Sequence, residues 1–135
     1  WLLKMGVDHV IGAHPHVIQP VEVREDSLSP ARHLVAYSLG NFVSNMSAPQ
    51  TDGGMAVKLL LRRVEGKTRL VDCAYALVWT SRPVLSGKKN FQVYPAGMAE
   101  NKMHMSEKQR MKAYLEGARK LQEKHGKRIR EYFFE

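Results

Sequence analysis

The amino-acid sequence predicts an α+β fold, in which strands of a mixed or antiparallel sheet precede one amphipathic C-terminal helix. Up to about residue 94, apolar residues recur with a period of two or in short β-branched runs, as is typical of strands. From Ser106 onward they recur at helical spacing instead. The chain has 135 residues, of which 44% are hydrophobic and 25% are charged, so it is long enough for one small domain with its own core.

The first predicted elements are the end of a helix and a buried strand. Residues 1–6 fit the last turn of a helix that closes at Gly6 in the left-handed cap position, and we therefore interpret the chain as a fragment of a longer protein. Residues 7–12 form a short β-branched run, which is typical of a buried strand entered from a helix.

Two more strands and a loop are predicted next. Residues 17–23 end in an alternation of apolar and polar side chains, and Pro20 indicates an edge strand or a bulge. Residues 33–39 are the following strand candidate. Residues 44–54 form a polar loop rich in Asn, Ser and Gly, and loops of this length are often functional or mobile.

A β-hairpin is the clearest local prediction. Residues 55–64 and 68–80 are both rich in strand-forming side chains, and the short segment 65–67 between them contains a glycine. One face of the second strand is predicted to be core, and its residues are Val71, Cys73, Tyr75, Leu77 and Trp79. Residues 91–94 are predicted to form one more short strand.

The C-terminal helix is predicted from a cap and an apolar stripe. Ser106, followed three residues later by Gln109, fits a capping box. The apolar stripe consists of Met111, Tyr114, Leu115, Ala118, Leu121, Ile129, Tyr132 and Phe133. Gly126 either ends this helix or only interrupts it. We accordingly divide the chain into a main domain, residues 1–100, and a basic helical region, residues 101–135.

The charge distribution restricts the partners of the chain. The net charge is +8, and residues 102–135 hold 10 Lys and Arg against 5 Asp and Glu. Such a region suits an anionic partner, although a solvated helix face accounts for it more simply. No aromatic side chains interleave with the basic ones, so we expect no nucleic-acid partner. The single Cys73 excludes an intramolecular disulfide.

Two histidines, His14 and His16, follow the first predicted strand. Residues two apart in an extended backbone point to one face, and Pro15 favours extended angles at His14. Ligands bind at the carboxyl ends of strands in α/β sheets, and neutral imidazole is a common metal ligand. The pair is therefore a candidate metal site, although many His-Pro-His segments are ordinary turns.

Two segments carry the most specific signal in the sequence. Residues 6–22 are GVDHVIGAHPHVIQPVE and residues 37–43 are YSLGNFV. Together they resemble the CapA/PgsA family of bacterial capsule (poly-γ-glutamate) synthesis proteins, an extracytoplasmic branch of the calcineurin-like metallophosphoesterases. The two segments cover only part of the chain, and the region beyond residue 100 resembles no family that we can name.

The resemblance implies that the chain is the C-terminal part of a four-layer α/β/β/α metallophosphoesterase fold. His14 and His16 would match the two histidines of the last superfamily motif, with Ala13 in place of the usual glycine. They would then be metal ligands and catalytic residues of a divalent metal pair of Mn, Fe or Zn. The other ligands belong to earlier motifs that this chain does not contain, so we expect the isolated fragment to bind metal poorly and to be inactive.

The resemblance leaves two functions open. One is a metal-dependent, phosphoesterase-like activity in surface-polymer biosynthesis, with Asn41 binding substrate at the site rim unless it is only a turn residue. The alternative is a non-catalytic module that binds an anionic polymer or an assembly partner at the cell envelope. The expected partners are an anionic surface polymer or phosphorylated precursor, the N-terminal half of the same protein, and a second copy of the fragment. The resemblance also implies the extracytoplasmic face of the membrane.

Overall fold

A three-stranded sheet forms the N-terminal part of the computed structural model, which describes residues 1–27, 31–98 and 103–133. Its strands are β1 (Val10–Ile11), β2 (Val21–Glu25) and β3 (Arg32–Ala36), in the spatial order β1-β3-β2. β1 runs parallel to β3, whereas β2 runs antiparallel to it. The carboxyl ends of β1 and β3 therefore lie at the same edge of this sheet.

A long hairpin forms the centre of a second, four-stranded sheet. Its strands β4 (Gly53–Val64) and β5 (Lys67–Ser81) pair antiparallel, as the sequence predicts. The two residues between them have positive φ, 50° at Glu65 and 78° at Gly66. Positive φ at both positions is typical of the tight turn whose twist matches that of the flanking strands.

Two short strands and two helices complete the described structure. β6 (Gln92–Pro95) pairs antiparallel with β5, and β7 (Arg130–Glu131) pairs parallel with it. The short helix α1 (Pro83–Ser86), which the sequence did not predict, links β5 to β6. The long helix α2 (Met105–His125) packs on β5. None of the helices in the described ranges is long and apolar enough to cross a membrane.

One hydrophobic cluster unites both sheets and α2. Its members from the first sheet include Val21, Val23, Leu34 and Ala36, those from the second sheet include Met55, Cys73, Tyr75, Leu77 and Trp79, and those from α2 include Met111, Tyr114, Leu115 and Ala118. The predicted α+β class, with mixed strand pairing and one main C-terminal helix, is thus confirmed.

The predicted core face of β5 is confirmed except at its first member. A bulge pairs Leu60 with Asp72 but Leu61 with Leu70, so that Val71 has no partner on β4. The extra residue reverses the alternation beyond it, and Leu70 rather than Val71 enters the core. A bulge of this kind depends on how two strands pair, so it cannot be predicted from the period-two pattern of one strand.

The boundaries of α2 differ from those predicted. The helix begins at Met105 with His104 as its N-cap, and Glu107, not Gln109, accepts the backbone N–H of His104 at 3.1 Å. Glu107 is preferred because its other oxygen accepts the hydroxyl of Ser81, which anchors the helix start to β5. The predicted cap at Ser106 is therefore wrong by two residues.

The helix also ends earlier than the apolar stripe suggests. Gly126 is its C-cap, and the chain then forms β7, where the N–H of Tyr132 donates to the Tyr75 carbonyl at 2.7 Å. Ile129 packs against the core from this extended segment. Of the two alternatives for Gly126, the structure confirms that it ends the helix, and the apolar residues beyond it belong to a non-helical segment that pairs with β5.

The N-terminal elements are confirmed in type, but they are shorter than predicted, and the strand predicted to be buried is not, since Ile11 is 53% exposed. Leu3–Met5 is a turn of 3-10 helix, and Gly6 closes it with a φ of 90°. Only Val10–Ile11 of the first predicted strand pairs with a neighbour. β2 starts directly after Pro20 and lies at the edge of its sheet, as that proline indicates.

The outer face of the first sheet is open. A cavity of about 750 Å³ lies there, lined among others by Trp1, Leu3, Val10 and Val35. Trp1 is 84% exposed. The two protein partners expected from the sequence, the N-terminal half of the protein and a second copy of the chain, stay predictions.

Candidate functional site

The His-Pro-His segment follows β1 directly, but it is bent rather than extended. φ is 103° at His14 and 61° at His16. The expectation that Pro15 keeps His14 extended is therefore wrong, and the strand geometry that would point both imidazoles to one face is absent here. Two hydrogen bonds of the preceding Gly12, from its N–H to the Ala36 carbonyl and from the Leu39 N–H to the Gly12 carbonyl, hold the chain beside β3 just before the bend.

The bend is strained at both histidines. Positive φ is uncommon for residues other than glycine, and each such residue costs on the order of 1–3 kcal/mol unless its surroundings hold it in place. Strain of this kind concentrates at functional sites. His14, Pro15 and His16 are all exposed, and the strain thus presents two imidazoles to solvent at the carboxyl edge of β1 and β3.

Asn41 lies next to His16, although 25 residues separate the two in sequence. The Oδ1 atom of Asn41 is 2.8 Å from Nδ1 of His16. The Nδ2 group of Asn41 donates to the Thr51 carbonyl at 3.0 Å, and its backbone N–H donates to the Gly53 carbonyl at 3.0 Å. Asn41 is only 7% exposed. Both ends of its amide have hydrogen-bond partners within the chain.

These contacts determine which nitrogen of His16 carries a proton. A carbonyl only accepts, so the Thr51 carbonyl requires the NH₂ end of the Asn41 amide and leaves the oxygen end facing His16. That oxygen also only accepts, so Nδ1 of His16 carries the hydrogen and donates it. In the neutral imidazole, Nε2 then presents a lone pair.

Two glycines permit this arrangement. Gly40 has a φ of 71°, and it bridges to Gly54 in the first strand of the hairpin. A Cβ atom at Gly54 would lie 2.6 Å from the Asn41 carbonyl oxygen and 2.7 Å from that of Leu39. Only a residue without a side chain allows the two backbones to approach so closely.

The loop between Asn41 and β4 is anchored by Asp52. Its carboxylate accepts from Arg110 on α2 at 2.8 Å and from Arg82 at 3.4 Å. Its backbone carbonyl accepts the N–H of Thr80 at 2.7 Å. Burial raises the pKa of Tyr114, and the Asp52 carboxylate raises it further by a smaller amount. Asp52 lies in the polar loop predicted for residues 44–54, but the sequence offers no signal that Arg82 and Arg110 hold this loop.

The other histidines of the N-terminal region have structural roles. Nδ1 of His9 accepts the N–H of Leu34 at 3.1 Å, and Nδ1 of His33 donates to the Asp8 carbonyl at 2.9 Å. The pKa of His9 is lowered mainly by burial, with a further lowering from His33 and an opposing effect of Asp8. These contacts join His9 and His33 to neighbouring backbone in the first sheet and give both side chains a structural role.

The imidazoles of His14 and His16 fit the nitrogen ligands that Mn, Fe and Zn accept. Within the described residues, the His14 side chain has no hydrogen bond that would hold it away from a metal. The ligand set is nevertheless incomplete, because no group of three or more His, Cys, Asp or Glu side chains in the described ranges could hold an ion. The metal role of the pair therefore stays a prediction.

Comparison with known proteins addresses the resemblance seen in the motifs. The family described as "Bacterial capsule synthesis protein PGA_cap" matches residues 1–46, a range that includes His14, His16 and Asn41. The predicted resemblance to the CapA/PgsA-type capsule synthesis family is confirmed over this range.

The similarity to a curated relative is limited to a short segment. The "PGA biosynthesis protein CapA" of Bacillus subtilis (strain 168) is 34% identical over 58 residues, which cover 43% of this chain and 14% of that protein. No solved structure matches the chain significantly. The four-layer metallophosphoesterase architecture accordingly stays a prediction.

Proposed function

We propose that the chain is part of a cell-envelope protein that acts in capsule or poly-γ-glutamate-type polymer biosynthesis. We further propose that His14 and His16 contribute two ligands to a divalent metal pair in a phosphoesterase-like centre. The family match over residues 1–46 supports the first statement. The observation that carries the second is the hydrogen bond from His16 to the buried Asn41.

The hydrogen bond between His16 and Asn41 supports the role of His16 as a metal ligand. Metal-binding histidines usually donate their other ring N–H to a second group, which selects the tautomer and fixes the ring orientation. Asn41 has this relation to His16, and the Thr51 carbonyl prevents the amide from rotating to the opposite orientation. A histidine in an ordinary surface turn does not require a buried partner held from two sides.

Asn41 has a role in this proposal that differs from the one the motif suggests. From its position after Leu39 and Gly40, the sequence suggests either a substrate-binding residue at the site rim or a turn residue. Because both ends of its amide are used within the chain, we assign it the positioning of His16 instead. The exposed side chains next to it, Phe42 and Val43, are the better candidates for contact with a substrate or with the rest of the protein.

A bound metal pair supplies Lewis-acid chemistry and activates water for attack on a phosphoester. The residues of this chain orient the ligands: the strained bend presents His14 and His16 to solvent, and Asn41 holds the Nε2 lone pair of His16 outward. The remaining ligands would come from outside the described residues. The net charge of +8 favours an anionic substrate.

A zinc or manganese titration followed by nuclear magnetic resonance of ¹⁵N-labelled histidines tests the proposal. We expect the signals of His14 and His16 to respond to the metal first. Metal binding should be lost in the His14→Ala/His16→Ala variant. A matched His33→Ala/His125→Ala variant should bind metal as the native chain does. A response of other histidines before His14 and His16 would contradict the proposed ligands.

The isolated chain should also have no phosphoesterase activity, because two imidazoles do not complete a metal pair. Hydrolysis of a chromogenic phosphodiester by the purified chain with added manganese checks this expectation. Turnover that a chelator abolishes would show that the chain holds a complete site and that the proposed division of ligands is wrong.

A further inference from the structure

The outer end of the β4–β5 hairpin extends away from the core. Every residue from Leu60 to Thr68 is exposed. The bulge opposite Leu60 and Leu61 separates this end from the part of the hairpin that packs against α2 and the first sheet. The segment therefore presents both of its faces to the surroundings, which is unusual for a strand pair with apolar side chains.

This hairpin end is strongly basic. Residues 58–69 contain five Lys and Arg side chains and one acidic side chain, Glu65. Within the described structure, the side chains of Arg62, Arg63 and Lys67 take part in no hydrogen bond or ion pair. Their charges are thus not neutralised by the protein and are available to an external anion.

Apolar side chains alternate with these charges. Leu60 is 52% exposed, Leu61 48% and Val64 40%. Along β4, Leu60 and Val64 share one face with Arg62, whereas Leu61 shares the other face with Arg63. Each face of the hairpin end therefore combines a guanidinium group with at least one exposed aliphatic side chain.

We propose that this hairpin end docks on an anionic phospholipid surface. Basic side chains near such a surface pair with lipid phosphates, and aliphatic side chains enter the boundary between headgroups and acyl chains.

The aliphatic side chains distinguish a bilayer from a dissolved polyanion. A polyanionic polymer interacts with the arginines and lysines alone, so it provides no favourable environment for Leu60, Leu61 and Val64. A bilayer takes up both classes of side chain. The proposal is independent of the metal site, because the hairpin end contains none of the residues assigned to it.

Co-sedimentation of the 135-residue chain with vesicles tests the proposal. We expect binding to equimolar phosphatidylglycerol and phosphatidylcholine, and little binding to phosphatidylcholine alone. Arg62→Glu/Arg63→Glu should reduce the partition coefficient by about tenfold or more, because each basic residue near the surface contributes substantially. Leu60→Thr/Leu61→Thr should also reduce it, by about threefold or more, through the loss of apolar contact.

A control on α2 separates the place of the charge from its amount. Lys112→Glu/Lys120→Glu changes two exposed residues and makes the same change in net charge as the hairpin variant. It should bind vesicles within about twofold of the native chain if the hairpin is the docking site. Circular dichroism and urea unfolding verify that all three variants fold.

Three results would overturn the proposal. The first is an equal loss of binding in the α2 control, since net charge alone would then explain the affinity. The second is native affinity of the Leu60→Thr/Leu61→Thr variant together with displacement of the chain from vesicles by poly-glutamate, which would identify a polyanion as the ligand. The third is the absence of binding to the anionic vesicles.

Discussion

Replacement of Asn41 by alanine removes the group that orients His16. The lost hydrogen bond contributes about 0.5–1.5 kcal/mol net, and the Thr51 carbonyl loses its side-chain donor at an additional cost of about 1–3 kcal/mol. We therefore expect the free energy of unfolding to fall by about 1.5–4.5 kcal/mol. If His16 is a metal ligand, the loss of its outer partner should also weaken metal binding by about 10–100-fold.

The tautomer of His16 provides the direct measurement. The ¹⁵N shifts of the imidazole distinguish a protonated Nδ1 from a protonated Nε2, and we expect a single Nδ1–H form in the native chain at a pH where the ring is neutral. In Asn41→Ala the ring is no longer held, so both tautomers should be populated. This measurement requires neither metal nor activity.

Asn41→Asp is the matched variant. Its carboxylate still accepts the hydrogen of His16 Nδ1, but it cannot donate to the Thr51 carbonyl. The aspartate should therefore lose stability, as the alanine does, while it keeps the Nδ1–H tautomer. Identical His16 signals in the native chain and in Asn41→Ala would refute the reasoning, because they would show that Asn41 does not determine the tautomer.

Three further predictions concern the rest of the fold. Gly54→Ala should lower the free energy of unfolding by about 1–3 kcal/mol in a urea titration, because its Cβ would meet two backbone carbonyls at 2.6 and 2.7 Å, and a change below 0.5 kcal/mol would contradict this. Gly117→Ala should instead raise the free energy of unfolding by up to about 1 kcal/mol, because alanine is a better helix former than glycine. The atom nearest to the new Cβ, at 3.1 Å, belongs to the amide at the end of the flexible Gln50 side chain, which can move aside. A decrease in the free energy of unfolding would show that Gln50 cannot move. Folding lowers the pKa of His9 from 6.5, so His9 takes up a proton at a higher pH in the unfolded chain than in the folded one. The free energy of unfolding should therefore fall as the pH drops below 6.5. His9→Asn, which still offers an acceptor to Leu34, should reduce this fall, and an unchanged pH profile would exclude His9 as its source.

Part of the candidate site could be predicted from local sequence. The position of His14 and His16 after a short β-branched run indicates the carboxyl edge of a sheet, and the structure places them there. Their backbone angles could not be predicted, because the chain just before the bend is held by hydrogen bonds of Gly12 to Ala36 and Leu39, more than 20 residues away. The same holds for Asn41, whose contact with His16 depends on how β1 and β3 pair.

The C-terminal region shows the same limit. The apolar stripe from Met111 to Ala118 is local, and it correctly predicts the buried face of α2. The start of the helix depends on a buried contact between Glu107 and Ser81, and its end depends on the pairing of β7 with β5. Both contacts join distant parts of the chain, so propensity and spacing do not reveal them.

The sequence by itself determined the α+β class, the hairpin, the position of the histidine pair and the resemblance to the capsule synthesis family. These features depend on side-chain period, turn residues and short motifs, all of which act over a few neighbouring residues. Only the tertiary structure decided that Asn41 orients His16, that Asp52 anchors the intervening loop through Arg82 and Arg110, and that a basic hairpin end extends from the core. Those features depend on which strands pair and where α2 packs, because each joins groups that are far apart along the chain.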